Sequence, residues 1–397
     1  MEVFTRLNMI KSKDIQQKKA LNAWAQAKFK GSVIAGTGFG KSRVGVIAIG
    51  QTLRRDETAS GLVLVPTTQL QDQFTDEFHK WGYSDVLDRV DVLCYQTAYK
   101  LQEQSYKIVV CDEIHLGLSP EYRKFFENNK YERLLCMTAT LPEESEYKLL
   151  LHKLAPTIYK ITLDDCVNLG LVSPYELYCV PLELTKTEQE DYKKINNSFV
   201  YWKYQLGQFD AFNRAQEIMS DKNATGADKQ AAVQFYKAIR DRKKIVDFAS
   251  NKINITKQIV MNNLDNKILI FTGANEFTDT ICSAIKPLAL SYHSKIGKKA
   301  RTAAIEKFKN GEISVLCSTK ALNQGFDVED ANMGILCGIT SKSLSMIQRV
   351  GRLLRFQENK VGKIIILYVK DSQEEKWLKN AVKTLDNVNW VSGISDL

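Results

Sequence analysis

Ala35-Gly36-Thr37-Gly38-Phe39-Gly40-Lys41-Ser42 is a glycine-rich turn that closes on Gly-Lys-Ser. An apolar pair precedes it (Val33, Ile34) and an apolar stretch follows it (Val44 to Ile49), so the segment reads as strand, loop and helix. Backbone N–H groups of such a loop surround phosphates, its lysine reaches the β- and γ-phosphates, and its serine hydroxyl ligates Mg²⁺. Gly36, Thr37, Gly38, Gly40, Lys41 and Ser42 are therefore the phosphate-binding candidates. Further on, Lys107-Ile108-Val109-Val110-Cys111 reads as a buried strand that delivers Asp112-Glu113-Ile114-His115. Asp112 is the candidate to hold the metal with Ser42, and Glu113 the candidate to activate water. Alone, a glycine-rich loop is often a structural turn, and an acidic pair usually marks a solvated strand end. Together, in this order and each in its strand context, they predict hydrolysis of a nucleoside triphosphate.

The 397 residues suffice for two ordinary domains, each with its own core. A hydrophobic share of 44% with 25% charged residues is that of a folded protein. No apolar run approaches the roughly 18 residues that span a bilayer, and Met1 to Lys19 is too polar for a signal peptide. The expected location is cytoplasmic, in a bacterium or a phage-infected host, with no membrane partner. The cysteines, at 94, 111, 136, 166, 179, 282, 317 and 337, form no Cys-x-x-Cys pair, and several lie in predicted core strands. Buried reduced thiols fit them better than a zinc or iron–sulfur site. The net charge of +9 suits a polyanionic partner, although many proteins as basic bind no nucleic acid.

Short apolar runs alternate with helical stretches at 32–35, 62–65, 89–94, 108–111 and 134–137, and again at 267–271, 288–292, 313–317, 333–337 and 363–369. This predicts an α/β fold: two parallel-sheet domains in tandem, each covered by helices on both faces. The expected bounds are 1–184 for the first domain, 185–262 for a helical insertion and 263–397 for the second domain. In the insertion, Thr185-x-x-Glu188 predicts a capping box, and residues 223–227 a break between helices. Its aromatics (Phe199, Tyr201, Trp202, Tyr204, Phe209, Phe212) and the basic run 240–244 suit stacked bases. The favoured alternative is a helical hairpin packed on its aromatics, with its charges in water.

Other motifs sit at the predicted strand ends. They are Pro66-Thr67-Thr68, Tyr95-Gln96-Thr97, Thr138-Ala139-Thr140, Phe271-Thr272-Gly273, Tyr292-His293-Ser294, Ser318 through Asp327, and Gln348-Arg349-Val350-Gly351-Arg352-Leu353-Leu354-Arg355. In this order the series resembles that of superfamily 2 helicases and translocases over nearly the whole chain. Asp112-Glu113-Ile114-His115 resembles the DExH division. The closing arginine motif is similar to the type III restriction (ResIII) group, which includes XPB-like and phage UvsW-like DNA helicases. DEAD-box RNA helicases usually begin that motif with histidine.

The resemblance implies two RecA-like domains that use ATP and Mg²⁺. It gives Lys41, Asp112 and Glu113 their catalytic roles, sets Gln348 near the attacking water, and makes Arg352 and Arg355 arginine fingers, whose planar fork suits phosphate oxygens. It also implies nucleotide contacts from Gly325 and Asp327, and coupling of hydrolysis to motion through His115, Thr138 and Thr140. Adenine reading falls to Gln17 rather than Gln16, from the match of Leu21 and Trp24. The implied nucleic-acid contacts are Thr67, Gln96, Thr97, Thr272, His293, Ser294 and Ser318, which would grip backbone without reading sequence. Each hydroxyl among them is equally a turn or helix cap. The expected function is an ATP-dependent DNA helicase or translocase, a monomer acting on single-stranded, duplex or branched DNA, with other replication or repair proteins as partners. An RNA-dependent ATPase and an ATP-gated clamp that does not unwind are the alternatives.

Overall fold

The apolar runs of the first half form β1 (Lys30–Ala35), β2 (Gly61–Val65), β3 (Val90–Cys94), β4 (Ser105–Cys111) and β5 (Lys130–Thr138), and β6 (Thr157–Ile161) closes one edge. They pair in parallel in the order β3-β2-β4-β5-β1-β6. Every residue of β2 is buried, as a central strand covered on both faces requires. The computed structural model describes all residues except 1, 37, 140, 143–144, 172–173, 222, 320–330, 340–360, 384 and 386.

The second sheet consists of β7 (Tyr175–Leu182), β8 (Ile268–Phe271), β9 (Ala289–Tyr292), β10 (Val315–Ser318), β11 (Met333–Leu336), β12 (Gly362–Val369) and β13 (Val388–Trp390). Its order is β13-β7-β12-β11-β8-β10-β9, again parallel. The sheets change over between Ile161 and Tyr175, ahead of the boundary expected after residue 184. Strand β7 is hydrogen-bonded along its length to β12, from Tyr175 opposite Gly362 to Leu182 opposite Val369. The two parallel-sheet α/β domains expected from the sequence are thus both present.

Between the sheets, helices Lys186–Gln205, Ala211–Ser220 and Gly226–Asp247 bury a small core of their own around Phe235. The first opens on the expected capping box, Thr185 with Glu188. Phe199 stacks on Phe235 at 5.4 Å, and Phe212, itself exposed, meets it edge-on at 5.0 Å; Tyr201, Tyr204 and Phe209 are exposed as well. The next helix, Ser250–Met261, packs Ile259 and Val260 into the core of the second sheet and so belongs to that domain. Among the described residues, no helix is long and apolar enough to cross a membrane.

Close packing holds the phosphate-loop helix, Lys41–Leu53, in place. A Cβ built on Gly50 would lie 2.0 Å from Cδ1 of Tyr83 and 2.5 Å from its Cγ, at the root of the ring. Gly50→Ala would gain about 1 kcal/mol of helix propensity. Displacing a packed ring typically costs about 1–3 kcal/mol, so the net expectation is a lower Tm. Thermal unfolding that gave an unchanged or higher Tm would show that Tyr83 yields freely.

Candidate nucleotide and nucleic-acid sites

The loop after β1 turns through Gly38 (φ 87°) and Gly40 (φ 84°), a left-handed backbone that glycine adopts without strain. Gly40 caps the helix with no side-chain bond, so the first-turn N–H groups remain open. Those donors and the positive helix end make an anion site in which Lys41 and Ser42 stand first. Lys41 Nζ donates to the Ala35 carbonyl at 3.1 Å, which holds it across the loop.

The two candidate glutamines have separate uses. Gln17 is buried beneath the loop, where its Nε2 donates to the carbonyls of Phe39 (2.8 Å) and Gly40 (3.4 Å). Its Oε1 accepts from Arg43 Nη1 at 2.9 Å. Arg43 in turn pairs with Asp14 and lies over the Trp81 ring at 4.1 Å. Gln16 instead accepts from the Tyr159 hydroxyl of β6 at 2.8 Å. Sequence reading passed over Arg43. The signal available was Asp14 and Gln17 three apart, on one helix face.

Sheet order assembles the rest. Strand β5 lies between β1 and β4, so the carboxyl ends of all three share one edge. This brings Lys41, the acidic pair and Thr138 together. Asp112 is fixed through its backbone: its N–H donates to Leu64 O at 2.8 Å, and its carbonyl accepts from the Tyr95 hydroxyl at 2.9 Å. Glu113 adopts a left-handed backbone (φ 49°), rare for a side chain of its size. Its Oε2 accepts from Thr138 Oγ1 at 3.1 Å and lies 3.4 Å from His115 Nδ1, which is itself 3.2 Å from Thr138 Oγ1. Glu113, His115 and Thr138 thus form a closed triangle.

The two carboxyls differ electrostatically. Burial, reinforced by the neighbouring Glu113 charge, pushes Asp112 up against the pull of Lys41. Burial also pushes on Glu113, but His115, Lys41 and Thr138 overcome it and hold its carboxyl below the usual range. Glu113 is therefore the charged acceptor of the pair, while Asp112 gains most from a nearby cation.

The proposed nucleic-acid contacts divide. At the ends of adjacent β2 and β3, Thr67 carries a buried hydroxyl with no protein partner, and Gln96 and Thr97 are exposed. Ser294 is exposed as well. Three second-domain residues face inward, contrary to the expectation that they line a groove. Thr272 and Ser318 are fully buried, with their hydroxyls donating to Ala274 O (3.1 Å) and Thr319 O (3.1 Å). His293 is buried with its Nε2 3.0 Å from Asp279 Oδ1. At the ends of central strands, polar groups satisfy the turn they enter. Thr37, Thr140, Gly325, Asp327, Gln348, Arg352 and Arg355 lie outside the described residues.

Comparison with known proteins bears on the family. The type III restriction enzyme res-subunit family matches residues 12–143, and the helicase conserved C-terminal domain matches 251–357. The DNA 3'-5' translocase XPB2 of Sulfurisphaera tokodaii is 24% identical over 377 residues, 90% of this chain and 82% of that protein. The helicase domain of Pyrococcus furiosus Hef shares the fold with a TM-score of 0.54 at 17% identity, over 90% of this chain and 96% of that one. Dbp5 of S. cerevisiae, bound to RNA and ADP BeF3, does so with a TM-score of 0.56 at 14% identity, over 97% and 93%. With tandem parallel sheets, a phosphate loop and an acidic pair on one sheet edge, the chain belongs to the superfamily 2 helicases of the ResIII/XPB type.

Proposed function

We propose that the chain is an ATP-dependent DNA translocase that unwinds or branch-migrates forked or recombining DNA in replication, recombination or repair. The observation that carries this reading is the convergence of Lys41, Asp112 and the Glu113–His115–Thr138 triangle on one edge of the first sheet. The DNA preference follows the XPB2 relative. Ser42 and Asp112 supply hard oxygens, and Mg²⁺ typically takes one or two protein oxygens and completes its shell with phosphate and water. An ion held there would neutralise charge on the phosphates. Lys41 leaves Ala35 O for the phosphates, Glu113 orients the attacking water, and His115 with Thr138 passes the state of that carboxylate to β5. Gln17 steadies the loop beside the base. The family resemblance assigns Gln348, Arg352 and Arg355 to hydrolysis and Gly325 and Asp327 to nucleotide binding.

Steady-state ATPase rates with no nucleic acid, single-stranded DNA, duplex DNA, forked DNA and RNA test the proposal. Stimulation by DNA, greatest with forks and falling steeply with salt, is the expected outcome. Stimulation by RNA alone would transfer the motor to RNA, and no stimulation by any of them would overturn the reading. Strand displacement then separates a motor from a clamp that closes without moving.

A further inference from the structure

Asp112 is gripped by two segments that also carry nucleic-acid candidates. Its N–H donates to the carbonyl of Leu64 at 2.8 Å, in β2, whose chain runs on to Thr67. Its own carbonyl accepts from the Tyr95 hydroxyl at 2.9 Å, and Tyr95 opens the short helix Tyr95–Ala98 that holds Gln96 and Thr97. Gln96 Nε2 reaches the carbonyl of Pro66 at 3.5 Å, so the two segments are also tied to each other. Strand β2 lies between β3 and β4, and the Tyr95 side chain therefore crosses the exit of β2 to meet the end of β4. Two strand spacings are about 10 Å in any sheet, a gap that needs a long side chain.

The ring has no room to swing. It is buried, stacks on Tyr122 at 6.0 Å, and would lie 2.7 Å at Cε1 from a Cβ built on Gly117. Gly117 ends the short helix Ile114–Gly117 after the acidic pair, so one ring meets the chain both before and after Glu113. A phenylalanine would fill this space equally well. What the hydroxyl adds is a hold on one carbonyl. Because a peptide unit is planar, fixing the Asp112 carbonyl fixes the plane from which Glu113 enters its left-handed backbone (φ 49°). Burial pushes the Tyr95 hydroxyl well up, so it keeps its proton and remains a donor.

We propose that Tyr95 is a positioning residue that links nucleic-acid binding to ATP hydrolysis: its hydroxyl sets the Asp112–Glu113 peptide, and its backbone moves with Gln96 and Thr97. The inference rests on the motor reading above, in which the acidic pair acts on the nucleotide and Gln96 and Thr97 meet nucleic acid. A phosphate backbone held at that helical turn shifts Tyr95 as part of it, and the hydroxyl passes the shift to both carboxylates. A misplacement of about 1 Å can cost about a hundredfold in rate, so a small movement suffices. The route is separate from the Glu113–His115–Thr138 triangle, which reaches the same carboxylate from β5.

Tyr95→Phe tests it in the full chain, with ATP and the nucleic acid that best stimulates the wild type. The change deletes one oxygen atom and keeps the ring packing. The kcat with nucleic acid is expected to fall about tenfold or more and the unstimulated rate clearly less, so that the fold stimulation drops at least about threefold. Kd for ATP and for nucleic acid should stay within about twofold. A hydroxyl that only props up the site would lower both rates by one factor, and that result overturns the proposal. So does a stimulated kcat equal to that of the wild type, or a loss that saturating nucleic acid restores. If no nucleic acid stimulates the wild type, the motor reading fails and the link falls with it. A stimulated wild type beside an unaffected variant overturns the link alone.

Discussion

Lys41→Ala is expected to bring stimulated ATP turnover to background while leaving the fold intact. Lys41 is the first residue of its helix, and its ammonium already spans the loop to Ala35 O. Alanine cannot reach a phosphate from that position. Two lost charge-assisted bonds, at about 1.5–3 kcal/mol each, amount to roughly 10²–10⁴ in rate if they form in the transition state. The helix itself loses nothing, since alanine is the best helix former. Thermal unfolding should therefore match the wild type while the ATPase rate collapses. A variant that kept half the wild-type rate would remove Lys41 from the chemistry.

Glu113→Gln is expected to bind ATP as well as the wild type or better, and to hydrolyse it about 10²–10⁴ times more slowly. The amide is isosteric and still accepts from Thr138, so the triangle keeps its shape. What disappears is a charge. His115, Lys41 and Thr138 hold the Glu113 carboxyl low, so it is ionised at every working pH, and raising the pH will not rescue the variant. Its charge is also part of what pushes Asp112 up. Without it the Asp112 carboxyl falls, remains ionised to lower pH, and offers Mg²⁺ a better ligand. Equilibrium binding beside single-turnover hydrolysis distinguishes the cases. If binding vanished with hydrolysis, Glu113 would be holding the site together instead of acting on water.

The strands that the sequence makes legible are those covered on both faces. All ten continuous apolar runs are strands, with ends shifted by a few residues; in the central ones helices on both sides leave no place for polar side chains, whereas edge strand β3 admits the exposed Asp91. The three strands not foreseen lack that signature. Edge strands β6 and β13 bury at most one residue each, and β7 interrupts its apolar positions with Glu176 and Pro181. The phosphate loop and acidic pair were readable because their chemistry dictates both residue type and spacing. Arg43 and Tyr95 were not, because each acts through partners brought to it by the fold: Asp112 lies 17 positions from Tyr95. Thr272 and Ser318 show the converse. A hydroxyl at a strand end can turn outward to a phosphate or inward to its own turn, and only their burial decides between the two.

The pairing of β7 with β12 also sets the order in which the chain becomes whole. Strand β7 ends at Leu182 and β12 begins at Gly362, so some 180 residues emerge between the two partners. At about 5–20 residues per second, that delay is roughly 10–40 s on a ribosome. By then the first sheet has all its strands, since β6 ends at Ile161, and the insertion has its helices. Leu177, Cys179 and Val180 meanwhile wait without the strands that will flank them, and an unpaired apolar strand is a template for pairing with other chains. During synthesis the vulnerable half of this protein is thus the second domain, while the half that holds the phosphate loop is already closed.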